Sequence, residues 1–114
     1  MLDPVALQGL DALGLDLHIV LPNFLDETRL GLAGLRDALE RGDALDVANR
    51  AHRLKGAALL VGAVEVQALA AQLEAEGRAG GLDAATALLD ALHPAFLRAR
   101  KAMDAALGGD RLPA

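Results

Sequence analysis

Glycines at 14, 42, 62 and 80–81 divide this chain into five stretches dominated by strong helix formers, with no linker between them long enough to separate domains. Glycine is unfavourable inside a helix and favoured just past its end, so these positions read as the breaks between helices. Short breaks between long helices favour antiparallel neighbours. The expected fold is therefore all-α: one domain over residues 1–114, an antiparallel up-down-up-down four-helix bundle with a short N-terminal lid helix. Composition agrees, since 54% of the residues are hydrophobic, mostly Ala, Leu and Val, with two Phe and no Trp or Tyr.

The local signals place each helix. Asp3 is a good N-cap with Pro4 at the first helical position, which predicts a helix from Pro4 to about Leu13 that stops near Gly14, with Val5, Leu7, Leu10 and Leu13 as its lid residues. The next segment, Asp16 to Arg41, carries Phe24, Leu25, Leu32, Leu35 and Leu39 and ends at Gly42; Pro22 either starts this helix or kinks it. Asp43 caps a third helix reaching about Val61, whose buried stripe at helical spacing is Val47, Ala51, Leu54, Ala58 and Val61. A fourth, from about Val64 to Arg78, turns Val66, Leu69, Ala70 and Leu73 inward before the Gly80-Gly81 turn. The last opens at Asp83, carries Leu88, Leu89, Leu92, Phe96, Leu97, Met103 and Leu107, and kinks at Pro94. Residues 108–114 are expected to fray.

A net charge of −5 and a pI near 5 argue against nucleic acid or an anionic membrane as partner and point to a protein. The absence of cysteine excludes disulfides and thiolate metal sites. Met1-Leu2-Asp3-Pro4 has an acid where a signal peptide needs positive charge, and no apolar run approaches membrane-spanning length, so the cytoplasm is the expected location.

The third helix holds the most specific motif, Ala51-His52-Arg53-Leu54-Lys55-Gly56-Ala57-Ala58, followed by Gly62. Residues at i, i+3 and i+4 share one helix face, so His52, Lys55 and Gly56 form a single surface spot beside the buried stripe. A glycine there costs roughly 1 kcal/mol relative to alanine. Alanine is used freely on both sides, so Gly56 reads as chosen for its missing side chain. Something has to come close to His52.

The run from Phe24-Leu25 through Ala38-Leu39, Gly42-Asp43, Ala51-His52-Arg53-Leu54-Lys55-Gly56, Gly62-Ala63 and Leu69 to Leu73-Glu74 resembles the histidine-containing phosphotransfer (HPt) domains of two-component phosphorelays. The resemblance implies that His52 accepts a phosphoryl group from a receiver-domain aspartyl phosphate and passes it to another receiver's aspartate. It matches Lys55 and Gly56 to the family's lysine and glycine, and Glu74 to the Glu or Gln that orients the imidazole. Ala57 stands where the family often has Ser or Thr, a departure that bears on a helper hydrogen bond and not on the reaction. The implied partners are receiver domains and a hybrid histidine kinase, with this chain acting as a monomer.

The chemistry of the residues agrees with that assignment. A neutral imidazole is a good nucleophile near pH 7 and can hold a phosphoryl group covalently. Phosphoryl transfer passes through a loose transition state, so catalysis is mainly positioning and charge neutralisation. Lys55, one turn from His52, can supply positive charge, and Arg50 and Arg53 add local positive potential. Nothing resembles a Walker-type loop or a kinase nucleotide site, so no autonomous kinase activity and no cofactor bound by this chain are expected; the Mg²⁺ required for transfer would come with the receiver.

Two other readings remain open at this stage. The phosphoacceptor and dimerisation domain of a histidine kinase is also helical with a surface histidine, but it typically has an acid directly after that histidine, where this chain has Arg53. From a different class, the alternative is a non-catalytic helical adaptor that binds a partner through its bundle face. His18 and His93, each near a proline without a basic or glycine companion, read as surface or turn residues. No two of the three histidines have a helical metal-ligand spacing, so no metal site is expected. From the residues alone, Glu74 is as readily a solvated acid on the fourth helix. Leu59 and Leu60 cannot both be buried equally, so one of them is available for a partner-binding patch.

Overall fold

The computed structural model describes residues 2–108. It contains α1 (Pro4–Ala12), α2 (Leu17–Glu40), α3 (Ala44–Val61), α4 (Val64–Arg78) and α5 (Ala85–Ala106). Three aspartates start helices: the carboxylates of Asp3, Asp16 and Asp43 accept the backbone N–H of Val5, His18 and Asp46 at 3.0, 2.9 and 3.0 Å. Left-handed glycines follow their ends, Gly42 and Gly62 among them. At Gly42 and Gly62 the backbone turns to φ 66° and 73°, a left-handed conformation that glycine adopts without steric cost. The next N–H groups then reach back into the last helical turn, Asp43 to the Ala38 carbonyl at 3.0 Å and Ala63 to the Ala58 carbonyl at 2.9 Å.

α2 packs on α3 and α5, and α4 on the same two helices, closing a four-membered ring with α2 and α4 on its diagonal. All five residues of the expected α3 stripe are buried, facing Leu21, Leu25 and Leu35 of α2, Val66, Ala70 and Leu73 of α4, and Leu89, Leu92, Phe96 and Met103 of α5. Each large side chain so buried contributes about 1.5–3 kcal/mol. Leu32, Leu39, Leu69 and Leu88 are only partly buried, and Leu97 lies on the solvent side of α5.

The seam between α3 and α4 is tight because of Gly77. A Cβ there would lie 2.7 Å from both the Ala44 carbonyl oxygen and the Ala48 amide nitrogen, so only glycine lets the two backbones come this close. That approach brings the C-terminal part of α4, with Glu74, under the outward face of α3.

Two expectations need correction, the start of α5 and the burial of the α1 lid residues, and the alternative at Pro22 is narrowed. α5 begins at Ala85 and not at Asp83, because Leu82 packs partly into the core and turns the chain first; Ala84 then occupies the cap position without a side-chain hydrogen bond. α2 begins five residues before Pro22, ruling out a start at the proline, and runs through it. α5 also holds Pro94 within one helix. In α1 only Leu10 is buried and Leu7 partly so, whereas Val5 and Leu13 are exposed, since nine residues present one narrow stripe to the bundle. α1 is tied down at α3's end: the Asp3 N–H donates to the Gly62 carbonyl at 2.8 Å, and Leu2 pairs with Ala63 in an isolated bridge. Of the expected frayed tail (108–114), residues 109–114 lie outside the described residues.

Candidate functional site

His52 projects from the outward face of α3, and Glu74 rises from α4 beneath it. The imidazole Nδ1 lies 2.9 Å from Glu74 Oε2, while Lys55 Nζ donates to Oε1 at 2.6 Å. Arg78, one turn further along α4, donates to Oε2 through Nε at 3.2 Å and Nη2 at 2.7 Å. The two ends of this network see different surroundings, since the His52 side chain is 62% exposed and that of Glu74 only 9%. A solvated acid on the α4 surface is therefore not what Glu74 is.

Its charge state follows from its neighbours. Lys55 first, then Arg78, with a smaller contribution from His52 and against the effect of burial, hold the Glu74 carboxyl down from 4.5 to about 2. It is ionised at neutral pH, and an ionised carboxylate only accepts hydrogen bonds. In the neutral imidazole the proton therefore sits on Nδ1, and Nε2 keeps its lone pair.

Of the residues singled out in the sequence, His52, Lys55 and Glu74 come together in one cluster. Lys55 does so in an unexpected way, because its ammonium is engaged by Glu74 and does not stand free beside the imidazole. Gly56 lies one turn from His52 with open space above it: a Cβ there would meet nothing within 4 Å. Packing inside this chain gives no reason for a glycine at that position. Arg50 is turned away, its Nε bonded to Asp46 at 3.1 Å and its guanidinium lying against Gly34 of α2. Arg53 is exposed on the side of α3 that faces α2. His18, beside Asp16 on α2, and His93, exposed on α5, stand outside the cluster.

Sequence reasoning missed Arg78 as a site residue, although Glu74 and Arg78 are spaced i, i+4, the spacing that pairs an acid with a base along a helix. Leu59 and Leu60 are both exposed, at 59% and 56%, and so is Leu45 at 67%. At +7, +8 and −7 from His52, these three leucines put apolar surface on both sides of the imidazole. Among the described residues, no three His, Asp or Glu side chains converge as metal ligands, and no helix is long and apolar enough to cross a membrane.

Residues 20–108 match the Hpt domain family, and the chain belongs to it. The chain is also similar to histidine-containing phosphotransfer protein B (HptB) from Pseudomonas aeruginosa PAO1, whose crystal structure it matches with a TM-score of 0.87 at 27% identity over 96% of each chain. No curated protein sequence matches it. Membership defines a histidine phosphotransfer intermediate of two-component signalling, a class of domain that works with receiver domains and histidine kinases in phosphorelays.

Proposed function

We propose that His52 is the phosphorylated residue and that Nε2 is the atom that carries the phosphoryl group. The observation that supports this most directly is the 2.9 Å contact of Nδ1 with the buried Glu74 carboxylate on an otherwise exposed ring. Nε2 attacks the phosphorus of a receiver's aspartyl phosphate. The N–P bond forms, the acyl O–P bond breaks, and the aspartate leaves with the electron pair. Nδ1 keeps its proton, so the ring gains positive charge, which the Glu74 carboxylate stabilises. Attack by another receiver's aspartate on the phosphohistidine reverses these changes.

The two cations divide the work. Lys55 holds Glu74 Oε1 by one contact, whereas Arg78 holds Oε2 by two. When the phosphoryl group arrives, Lys55 turns toward its oxygens and Arg78 keeps Glu74 compensated. The open space over Gly56 admits the receiver's loops, and Leu45, Leu59 and Leu60 supply apolar contact around the imidazole. Mg²⁺ is carried by the receiver. The face around His52 has to stay free for that partner, so the chain acts as a monomer. A hybrid histidine kinase supplies the phosphoryl group from ATP through its receiver, which places the exchange in the cytoplasm.

The test is transfer from a phosphorylated receiver. It should give an acid-labile, base-stable adduct that maps to His52, is lost in His52→Gln and persists when His18 or His93 is replaced. Label remaining on the His52→Gln chain would overturn the assignment, and a wild-type chain that no receiver labels would be an adaptor instead. With ATP and Mg²⁺ alone the chain should stay unlabelled.

A further inference from the structure

A groove of about 350 Å³ runs between α2 and α3, next to the His52 face but separate from the Glu74 network. Its α3 wall carries Arg50, Arg53, Leu54 and Ala57, and its α2 wall carries Glu27 and Gly31. The small residues Gly31 and Ala57 keep the walls recessed. Arg50 is partly neutralised by Asp46, but Arg53 makes no side-chain hydrogen bond or ion pair among the described residues, and neither does Glu27. Among the described residues, the groove thus presents the Arg53 guanidinium on one wall and the Glu27 carboxylate on the other, neither engaged within the chain, above Leu54 and a buried Thr28 hydroxyl that has no hydrogen-bond partner.

We infer that this groove receives a carboxylate side chain, Asp or Glu, of the docked receiver, and that Arg53 selects among receivers by it. The inference rests on the reading of His52 as the site of transfer. Arg53 follows His52 directly, and Ala57 lies within about 7.5 Å of it along the helix axis at 1.5 Å per residue. A specific protein interface covers about 800 Å² on each partner, a patch nearly 30 Å across. A receiver that reaches Nε2 therefore also covers the mouth of the groove. The occupant's charge follows from complementarity: Arg53 can bind a carboxylate with two parallel N–H donors, and Leu54 and Ala57 accommodate the methylene stem. Glu27, at the opposite wall, opposes the same group and sets how much negative charge is accepted.

Rim charges act mainly on encounter and docking, so the effect belongs in KM and in the salt dependence, with kcat spared. With the fastest-transferring phosphorylated receiver of the source organism, Arg53→Glu should raise KM tenfold or more at low salt with kcat within about twofold of wild type. The difference should shrink as ionic strength rises. Glu27→Gln should lower KM two- to threefold, a gain that damage to the fold would not produce. Mapping the adduct formed with that receiver separates the two readings. If wild type takes no label at His52, or the label survives in His52→Gln, the proposed function falls and this inference with it. If wild type is labelled at His52 but Arg53→Glu leaves KM within twofold, or lowers only kcat, the groove inference alone is overturned.

Discussion

Glu74 makes the histidine usable, and its own state depends on pH in a defined direction. Its carboxyl is depressed from 4.5 to about 2 in the folded chain, so the stabilisation it brings is complete above 4.5 and is lost as pH falls from there toward 2. Wild type should lose thermal stability across that window, and Glu74→Gln should flatten the loss; an unchanged acid limb in the Gln variant would show that the network does not hold Glu74 ionised. At neutral pH, Glu74→Gln keeps an acceptor for Nδ1–H but removes the charge opposite the developing imidazolium, and should slow transfer by roughly tenfold or more. Lys55→Ala should leave α3 intact, since both residues are good helix formers, yet slow transfer or shorten the phosphohistidine lifetime. Wild-type rates and lifetime would make Lys55 a structural partner of Glu74 only. The sequence made His52, Lys55 and Gly56 legible because they lie on one helix within a single turn. Their joining to Glu74, 22 residues away from His52, depends on how α3 and α4 slide against each other, which no local pattern states.

At the scale of the helix, two glycines within helices, Gly56 in α3 and Gly77 next to the end of α4, have opposite reasons. Gly56 has open space where a side chain would be, whereas Gly77 has the α3 backbone there. Gly56→Ala should therefore stabilise the fold by up to about 1 kcal/mol. Gly77→Ala should cost about 1–3 kcal/mol or more, because the atoms in the way are main chain and cannot rotate aside. Thermal melts of the two variants decide this, and similar shifts in the same direction would refute the distinction. Gly56→Gln adds the functional half: it should fold and keep an accessible imidazole, but lose most receiver-dependent transfer. A folded Gln variant with wild-type transfer would mean that no partner comes close at this position. Helix extents were legible because capping aspartates and terminal glycines state them locally. The start of α5 was not, since Asp83 has the residue type of a cap while the burial of Leu82 decides where the chain turns.

For the whole molecule, stability and reaction lie in different places. α1 touches α2 and α3 but not α4 or α5, and its fastening at Gly62 and Ala63 is ten residues past His52, about 15 Å along a helix at 1.5 Å per residue. The His52–Glu74 geometry is set elsewhere, by the Gly77 contact with Ala44 and Ala48 and by the buried α3 stripe. Truncating Leu10, 3% exposed and the buried anchor of α1, should then weaken the fold without altering the chemistry. Leu10→Ala should cost about 2–5 kcal/mol, as large-to-small changes in a core do. In a domain of this size that lowers Tm by on the order of 10 °C or more. Sites more than about 10 Å apart that share no partners act independently, so kcat and KM for receiver-dependent transfer should stay near wild type at a temperature where the variant is folded. The measurement is a melt beside a transfer assay at 25 °C or below. A folded Leu10→Ala chain with slowed transfer would show that α1 shapes the site through α3, and the division between a stabilising end and a reacting middle would have to be abandoned.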